Sequence, residues 1–225
     1  MNIILFGPPG AGKGTQANNL VKKFNLYKIS TGDLLRDKIK DNNELNNKIK
    51  SLLKKGSLIS DDIINDLIQK IISDKKYSNR LIFDGYPRNL NQAKKLDLLL
   101  MKYNQKISCV LSLTVDKKSI IKRILGRQIC IKCGLIFNEY YKPATSINHS
   151  CDKKFLTKRS DDNEKTIIKR FDTYLEKTLP ILDFYKEEKL LHQIDGVAKI
   201  DQIYKQIQDI IASLETWLCK PYLYK

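Results

Sequence analysis

Gly7-Pro8-Pro9-Gly10-Ala11-Gly12-Lys13-Gly14-Thr15 follows directly on the apolar run Ile3-Ile4-Leu5-Phe6. This order predicts a strand that leads into a phosphate-binding turn and then into a helix. Glycines let consecutive backbone N–H groups turn toward an anion, the start of the helix adds positive potential, and Lys13 supplies a mobile cation. The stretch therefore indicates a nucleotide-binding site in an α/β protein.

The metal-binding position of this turn is unusual. Such turns ordinarily place Ser or Thr directly after the lysine to hold Mg²⁺, but here Gly14 stands there and the hydroxyl comes only at Thr15. The metal must then be held through waters and a more distant carboxylate. Asp84, at the end of an apolar strand, is the candidate, and capping of a helix is the alternative role for it.

Length and composition set the broad class of the protein. The 225 residues suit one compact unit with appendages, and 41 basic against 25 acidic residues give a net charge of +16. That charge fits polyanionic partners, but a lysine-rich solvated surface explains it equally well. With no signal or apolar segment before the first strand, we expect a cytoplasmic protein without a membrane partner. Five cysteines in such a compartment argue against a disulfide framework.

Apolar and turn patterns predict alternating strands and helices along the chain. After the first strand at 3–6, strands are predicted at 27–30, 80–84, 108–114 and 190–195. Helices are predicted at 15–24, 42–55, 61–73, 120–126, 164–174 and 202–214. Two more are predicted, one that begins at Thr31 and one that follows the turn at 85–88 and runs through Met101. This alternation favours a parallel sheet covered on both faces, with ligands outside its carboxyl ends. Residues 127–159 break the pattern and indicate an inserted lobe.

Arginines stand where a phosphoryl-transfer site would use them. In a chain with many more lysines, each retained arginine has a claim to need a permanently charged, bidentate fork. Several guanidinium groups with Mg²⁺ can neutralise a transferring phosphoryl group without a protein nucleophile, and no general base is needed when the acceptor is a phosphate. The candidates are Arg36, Arg88, Arg123, Arg127, Arg159 and Arg170.

The inserted lobe contains a cysteine knuckle of the kind that binds zinc. Cys130 and Cys133 lie two residues apart, and Cys151 is a third candidate ligand. Lys154 stands where a fourth ligand is expected, so His149 or Asp152 would have to supply it. A lobe that packs without metal remains an alternative. We interpret Cys109 and Cys219 as ordinary apolar fillers, and expect the tail to pack against the core.

Taken together, these motifs resemble those of the adenylate kinase family, in its long-lid bacterial type. The motifs that carry the resemblance are Gly7 to Thr15, Ser30-Thr-Gly-Asp-Leu-Leu-Arg36, Asp84-Gly-Tyr-Pro-Arg88 with Gln92, Gly126-Arg127, and Arg159-x-Asp-Asp162 with Arg170. The resemblance implies a P-loop kinase fold with a five-stranded parallel sheet flanked by helices. It also implies a core (1–29, 60–126 and 161–214), an AMP-binding helical lobe (30–59), an inserted lid (127–160) and a C-terminal tail (215–225).

The activity implied by the resemblance is reversible, Mg²⁺-dependent phosphoryl transfer from ATP to AMP, giving two ADP, by a monomer. The catalytic residues implied are Lys13, Arg88, Arg123, Arg159 and Arg170. The ATP-binding residues implied are Gly10, Ala11, Gly12, Lys13, Gly14, Thr15, Arg123, Arg127, Ile136, Phe137 and Ala198. The AMP-binding residues implied are Thr31, Arg36, Ser57, Leu58, Ile59, Gly85, Tyr86, Pro87, Arg88, Gln92, Arg159 and Arg170. Asp161 and Asp162 would help lock the closed lid, and Asp84 would hold Mg²⁺ through water.

Other functions are open to different degrees. A kinase for UMP or CMP shares the phosphate chemistry and differs only at the acceptor base, and GTP as donor is not excluded by the sequence. A nucleic-acid-binding protein is disfavoured, because basic and aromatic residues are not interleaved as in RNA-binding modules. A signalling GTPase is disfavoured because the chain has no Asn-Lys-x-Asp segment.

Overall fold

A computed structural model of the chain describes residues 1–39, 44–146 and 149–218. Within them, five strands form one parallel sheet in the order β2-β3-β1-β4-β8. The strands are β1 (Ile3–Phe6), β2 (Tyr27–Ser30), β3 (Leu81–Asp84), β4 (Cys109–Thr114) and β8 (Leu191–Asp195). The predicted α/β class and five-stranded sheet are confirmed.

Helices cover both faces of this sheet. They are α1 (Lys13–Phe24), α2 (Thr31–Lys38), α3 (Glu44–Lys54), α4 (Asp61–Ile72), α5 (Leu90–Lys102), α6 (Lys117–Leu125), α7 (Glu164–Thr173), α8 (Ile181–Glu187) and α9 (Ile200–Leu218). None of the helices in the described ranges combines the length and the apolar character needed to cross a membrane.

The central strand β1 divides the hydrophobic core. Ile4 and Phe6 face a cluster that includes side chains of α4, α5 and α8, whereas Ile3 and Leu5 face a second cluster with α1 and α9. All four side chains are buried because a central parallel strand is covered on both faces. Since β1 pairs with β3 on one side and β4 on the other, a crevice opens at its carboxyl end.

The segment after α6 forms a separate antiparallel sheet. Its order is β6-β5-β7, with β5 (Arg127–Cys130) between β6 (Ile136–Asn138) and β7 (Leu156–Thr157). The change from parallel to short antiparallel strands agrees with the inserted lobe expected at 127–159. We call this segment the lid.

Several predicted boundaries were wrong by a few residues. The predicted helix at 120–126 begins at Lys117, where Asp116 Oδ1 accepts a hydrogen bond of 2.8 Å from the Ser119 N–H. The last helix runs four residues beyond its predicted end at 214, into the segment assigned to the tail. Helix α8 had not been predicted. Residues 42 and 43 of the predicted third helix, and Cys219 with the rest of the tail, lie outside the described residues.

Candidate active site

The turn after β1 shapes a loop around the amino end of α1. Gly10 and Gly12 have φ of 82° and 96°, values that favour glycine. A Cβ on Gly10 would lie 2.7 Å from Ile124 Cγ1, so α6 leaves room there for backbone only. The predicted residues Gly10 to Thr15 thus run from this loop into the first turn of α1, where backbone N–H groups can meet an anion.

Lys13 folds back over this loop. Its Nζ donates hydrogen bonds of 2.7 Å to the Gly7 carbonyl and 2.9 Å to the Pro8 carbonyl. Burial lowers the pKa of Lys13 to about 8; nearby Asp84 counteracts this effect and Arg88 adds to it. Among the described residues, the desolvated ammonium is thus hydrogen-bonded to neutral carbonyls alone, an arrangement that favours an incoming anion.

Asp84 ends β3 next to the loop. It lies in register with Leu5 of β1 and Ser30 of β2. A Cβ on Gly14 would be 3.4 Å from Asp84 Oδ2, an ordinary contact distance, so this carboxylate lies close beside the loop backbone. The negative charge of Asp84 raises the pKa of Lys13 and of Arg88, and so opposes the effect of their burial. A carboxylate in this place can neutralise cations or hold a hard metal ion.

Arginines from three parts of the chain surround the same crevice. Burial, and then repulsion by Arg170, lowers the pKa of Arg88 to about 10. Burial and repulsion by Arg127 likewise lower the pKa of Arg159 to about 10, and burial lowers that of Arg170. Guanidinium groups that lie close enough to lower one another's pKa, Arg88 with Arg170 and Arg159 with Arg127, make the crevice electropositive and suited to polyphosphate.

Carboxylates lie beside the arginines of the lid and of α7. Arg127 makes a bidentate pair with Asp162, whose side chain is fully buried, and Nε donates to Asp162 Oδ2 over 2.8 Å. Arg170 donates to Asp161 over 2.7 Å. Arg159 lies 3.7 Å from Asp33 of α2, and its Nε has no hydrogen-bond partner within the described residues. A buried donor without a partner is available for a ligand.

Arg123 lies on the side of the loop next to β8. It donates 2.7 Å and 3.5 Å hydrogen bonds to the carbonyls of Gly196 and Val197, and its guanidinium lies 5.4 Å from the centre of the Tyr141 ring. Ala198 is the next residue after this carbonyl pair and is partly buried. The predicted residues Arg123 and Ala198 are thus close in space, with Tyr141 as an unpredicted neighbour.

A second part of the crevice lies between α2, α3 and β3. Thr31 Oγ1 and Arg88 Nε donate to the Gly85 carbonyl over 2.8 Å and 2.7 Å, which links the turns after β2 and β3. Lining this cavity are Thr31, Gly32, Leu35, Leu53, Ser57, Leu58, Ile59, Ile64, Gly85, Tyr86, Arg88 and Gln92. All the residues expected on the AMP side except Arg36, Pro87, Arg159 and Arg170 line it directly.

Comparison with known proteins agrees with this geometry. The family model described as adenylate kinase matches residues 5–190. An adenylate kinase of Pelagibacter ubique is 46% identical over 211 residues, 94% of this chain and 99% of that protein. The chain belongs to the adenylate kinase family. Further adenylate kinases, from Chloroherpeton thalassium and Archaeoglobus fulgidus, are 44% and 36% identical, over 95% and 96% of this chain and 99% and 100% of their own lengths.

Family membership confirms the resemblance drawn from the motifs. It makes the chain a nucleotide-binding transferase of the kinase class. Phe137, one of the residues expected at the ATP side, has a side chain that does not face the crevice as a free surface. Its side chain is buried against the His149 ring, 4.6 Å between centres, and its backbone lies opposite Gln128 in the β5–β6 pairing.

The lid of this family member gathers its cysteines. Ligand atoms of Cys130, Cys133, His149 and Cys151 all lie within 4.8 Å of one another. Asp152, the other candidate for a fourth ligand, is instead exposed; it accepts a hydrogen bond from the Lys154 N–H and lies 3.6 Å from the Lys154 ammonium. Cys109 is fully buried in β4, consistent with an apolar filler.

A contact beside the AMP-side cavity joins one predicted residue, Gln92, to one that was not predicted, Asp61. Gln92 Nε2 donates to Asp61 Oδ1 over 2.7 Å, and Gln92 Oε1 accepts from the Arg88 N–H over 2.7 Å. Gln92 was predicted, but Asp61 was not. In the sequence, Asp61 is only an acid in the first turn of a helix, which is its commonest role there.

Proposed function

We propose that this adenylate kinase family member catalyses reversible phosphoryl transfer from ATP to AMP, giving two ADP, and so balances adenine nucleotides and salvages AMP. The observation that carries the proposal is the meeting of the Lys13 loop with the guanidinium groups of Arg88, Arg159 and Arg170 in one desolvated crevice. A crevice between two nucleotide cavities needs such a cluster to neutralise the phosphates of both.

In this proposal, the loop from Gly10 to Thr15 and Lys13 hold the donor phosphates. Arg123 and Arg127, with the backbone of Ile136, Phe137 and Ala198, contact the rest of ATP. Lys13 leaves the carbonyls of Gly7 and Pro8 and pairs with phosphate oxygens, which recover the cost of its burial. The backbone N–H groups of the loop stay fixed, so they stabilise the transferring group without reorganisation.

The acceptor side is assigned to the other half of the crevice. Thr31, Ser57, Leu58, Ile59, Gly85, Tyr86, Pro87 and Gln92 would enclose the base and sugar of AMP, and Arg36 and Arg88 would hold its phosphate. Arg159 and Arg170 lie between the two halves and would neutralise the oxygens of the phosphoryl group in flight. The acceptor is already an anionic phosphate, so the chain has no need to remove a proton from it.

Magnesium fits the oxygen groups beside the loop. The Asp84 carboxylate approaches the backbone of Gly14, and the Thr15 hydroxyl follows, which are donors of the kind that Mg²⁺ prefers. We propose that Asp84 holds the ion through water. When bound with ATP, Mg²⁺ neutralises phosphate charge and fixes the phosphate conformation.

Closure of the lid would exclude water from the transfer. In the structure two arginines of the lid already contact carboxylates: Arg127 pairs with Asp162, and Arg159 lies 3.7 Å from Asp33 of α2. These contacts bring the lid and the α2 region over the crevice. A dry site directs the phosphoryl group to AMP, because no water can compete as acceptor.

An acceptor panel tests the proposal. Purified protein with Mg²⁺·ATP is given AMP, UMP, CMP or GMP, and the nucleoside diphosphates are separated and counted. We expect turnover fastest with AMP and dependent on Mg²⁺. Fastest turnover with UMP or CMP would assign the chain to a different acceptor, and no diphosphate with any acceptor would refute the proposal. Replacing ATP by GTP in the same assay measures donor choice.

We further propose that the lid holds a structural zinc ion through Cys130, Cys133, Cys151 and His149. Three sulfurs and one imidazole nitrogen are a ligand set that zinc binds tetrahedrally, and Cys133 Sγ already lies 3.4 Å from His149 Nε2. The ion would join the β5 hairpin to the segment before β7. Structural zinc of this kind contributes directly to folding.

Metal analysis checks the zinc proposal. We expect about one zinc per chain, and a chelator should lower the melting temperature by several degrees. His149→Ala should lose the metal, whereas Asp152→Ala, at the exposed alternative ligand, should retain it. Zinc-free parent protein with an unchanged melting temperature after chelation would refute the proposal.

The domain limits given above are also proposed for this chain: core, AMP-binding lobe at 30–59 and lid at 127–160. We propose that it acts as a monomer, because one chain supplies both halves of the crevice. A cytoplasmic location agrees with the zinc proposal, since free thiolates persist in reducing compartments. Light scattering and cell fractionation measure these two properties.

A further inference from the structure

The amide of Gln92 is held between two groups of opposite kind. Its Nε2 donates to Asp61 Oδ1 over 2.7 Å, and its Oε1 accepts from the backbone N–H of Arg88 over 2.7 Å. A carboxylate only accepts hydrogen bonds and a backbone N–H only donates them. Turning the amide over would set donor against donor at Arg88 and acceptor against acceptor at Asp61. Its orientation is therefore fixed.

Asp61 is itself held in place. Both of its oxygens accept hydrogen bonds of 3.1 Å from Asn89 Nδ2, and Asn89 Oδ1 accepts the Gln92 N–H over 2.8 Å. These contacts join the start of α4 to the start of α5. Gln92 is almost entirely buried, so water does not compete for its amide. The unit Asp61–Asn89–Gln92 is therefore rigid beneath the cavity.

Apart from these two bonds, the fixed amide makes no hydrogen bond within the described residues, which leaves one N–H and one lone pair on Oε1. Gln92 lines the AMP-side cavity, where these groups are available to a ligand. A 6-aminopurine offers an N–H donor at its amino group beside a ring nitrogen acceptor. A 6-oxopurine offers the reverse, an acceptor oxygen beside a ring N–H. A freely turning glutamine amide can pair with either, whereas the fixed one pairs only with the 6-aminopurine.

We infer that Asp61 is a positioning residue that sets acceptor specificity, by locking Gln92 in the orientation that accepts 6-aminopurine and rejects 6-oxopurine nucleotides. The inference rests on the proposed AMP site. It deepens that assignment, because the selectivity comes from a carboxylate that need not touch the nucleotide. Rejection arises since a wrong base leaves buried polar groups unpaired.

The test compares AMP with IMP, which differs from it only in the six-position group and the ring proton. Specificity is the ratio of kcat/KM for AMP to that for IMP, with ATP as donor. In Asp61→Ala we expect this ratio to fall by about tenfold or more. KM for AMP should rise while kcat at saturating AMP changes by less than about threefold, since the reacting phosphates are distant. Asp62→Ala, an exposed acid in the same helical turn, is the matched control and should leave the ratio unchanged.

Two further variants keep the outcome decisive. Asp61→Asn preserves volume and carries the same test should the alanine variant not fold; we expect a fall in the ratio of about threefold or more. A ratio in both Asp61 variants that matches Asp62→Ala would overturn the inference. Gln92→Ala separates the positioning role of Asp61 from the proposed acceptor site itself. If it abolishes the preference for AMP while the Asp61 variants keep it, the lock alone is wrong; if it changes neither KM nor preference, the proposed acceptor site is wrong as well.

Discussion

At the scale of single residues, Lys13 is the charge on which we expect donor binding to depend most. Burial lowers its pKa to about 8 in the free protein, so above that pH the ammonium loses its proton before ATP arrives. Binding of a polyphosphate restores the charged form, because an anion within contact distance raises the pKa of a base. Lys13 therefore links donor binding to proton uptake on the alkaline side of neutrality.

The pH dependence of ATP binding follows from this shift. We expect titration calorimetry, in buffers of different ionisation enthalpy, to show at pH 8.5 about half a proton or more taken up per ATP bound, and little at pH 7. Affinity for ATP should weaken as the pH rises through 8. Lys13→Met provides the control, since it has no proton to take up there. Equal proton exchange by both proteins would contradict the assignment of the pKa to Lys13.

At the scale of elements, the lid strand β5 and the segment before α7 are joined by a buried ion pair. Asp162 has no exposed side-chain surface and Arg127 retains 17%. Removing the carboxylate leaves a buried guanidinium that cannot return to water. We expect Asp162→Asn to lower the free energy of unfolding by about 2–4 kcal/mol and to raise KM for ATP.

Chemical denaturation measures the free energy of unfolding of Asp162→Asn, and a variant of an exposed ion pair serves as the comparison. Asp172 of α7 lies 3.9 Å from Lys117, with both side chains about half exposed, so Asp172→Asn should cost less than about 0.5 kcal/mol. Equal losses in the two variants would show that burial does not strengthen the lid pair.

Helices α5 and α8 enclose another ionisable group, Asp97. Burial, and then the charge of Glu188, raises its pKa to about 7, and its Oδ2 finds no hydrogen-bond partner in the described part of the chain. A carboxyl group with a raised pKa binds its proton more tightly when folded than unfolded. Stability is therefore lost as the pH rises from about 4 through 7.

Thermal melts between pH 5 and pH 8 test this effect. Asp97→Asn cannot ionise, so its melting temperature should fall less over this range than that of the parent. At pH 8 the variant should be more stable by about 1–2 kcal/mol, after allowance for partial exposure. Asp66→Asn, an exposed acid of α4, should keep the parent's pH dependence. A parent melting temperature that does not decline would argue against the raised pKa.

Local sequence predicted the buried strands better than the ends of the helices. The apolar runs that became β1, β3 and β4 are buried parallel strands, and such continuous runs are distinctive. Helix ends were less well predicted, because the pattern had no clear start at Lys117 and no stop before Leu218. Helix α8 was missed because it follows Pro180 without a polar cap and is only seven residues long.

At the scale of the whole molecule, the candidate site was predictable as far as short motifs define it. The phosphate loop, Asp84 and the turn at Gly85 to Arg88 each follow a strand, so their convergence follows from a parallel sheet. Asp61 could not be predicted, since its contact with Gln92 spans 31 positions and depends on how α4 and α5 pack. His149 was one of two candidates in the lid, and only the folded loop brings it to the cysteines.

We claim above all that the Lys13 loop and the surrounding arginines form one site that passes a phosphoryl group between two nucleotides. Measuring ADP formation from ATP and AMP by parent and Lys13→Met, with circular dichroism to confirm equal folding, tests it most directly. We expect the parent to convert the pair to ADP and the variant to be slower by about a hundredfold or more. A folded variant that forms ADP at the parent's rate would contradict the claim.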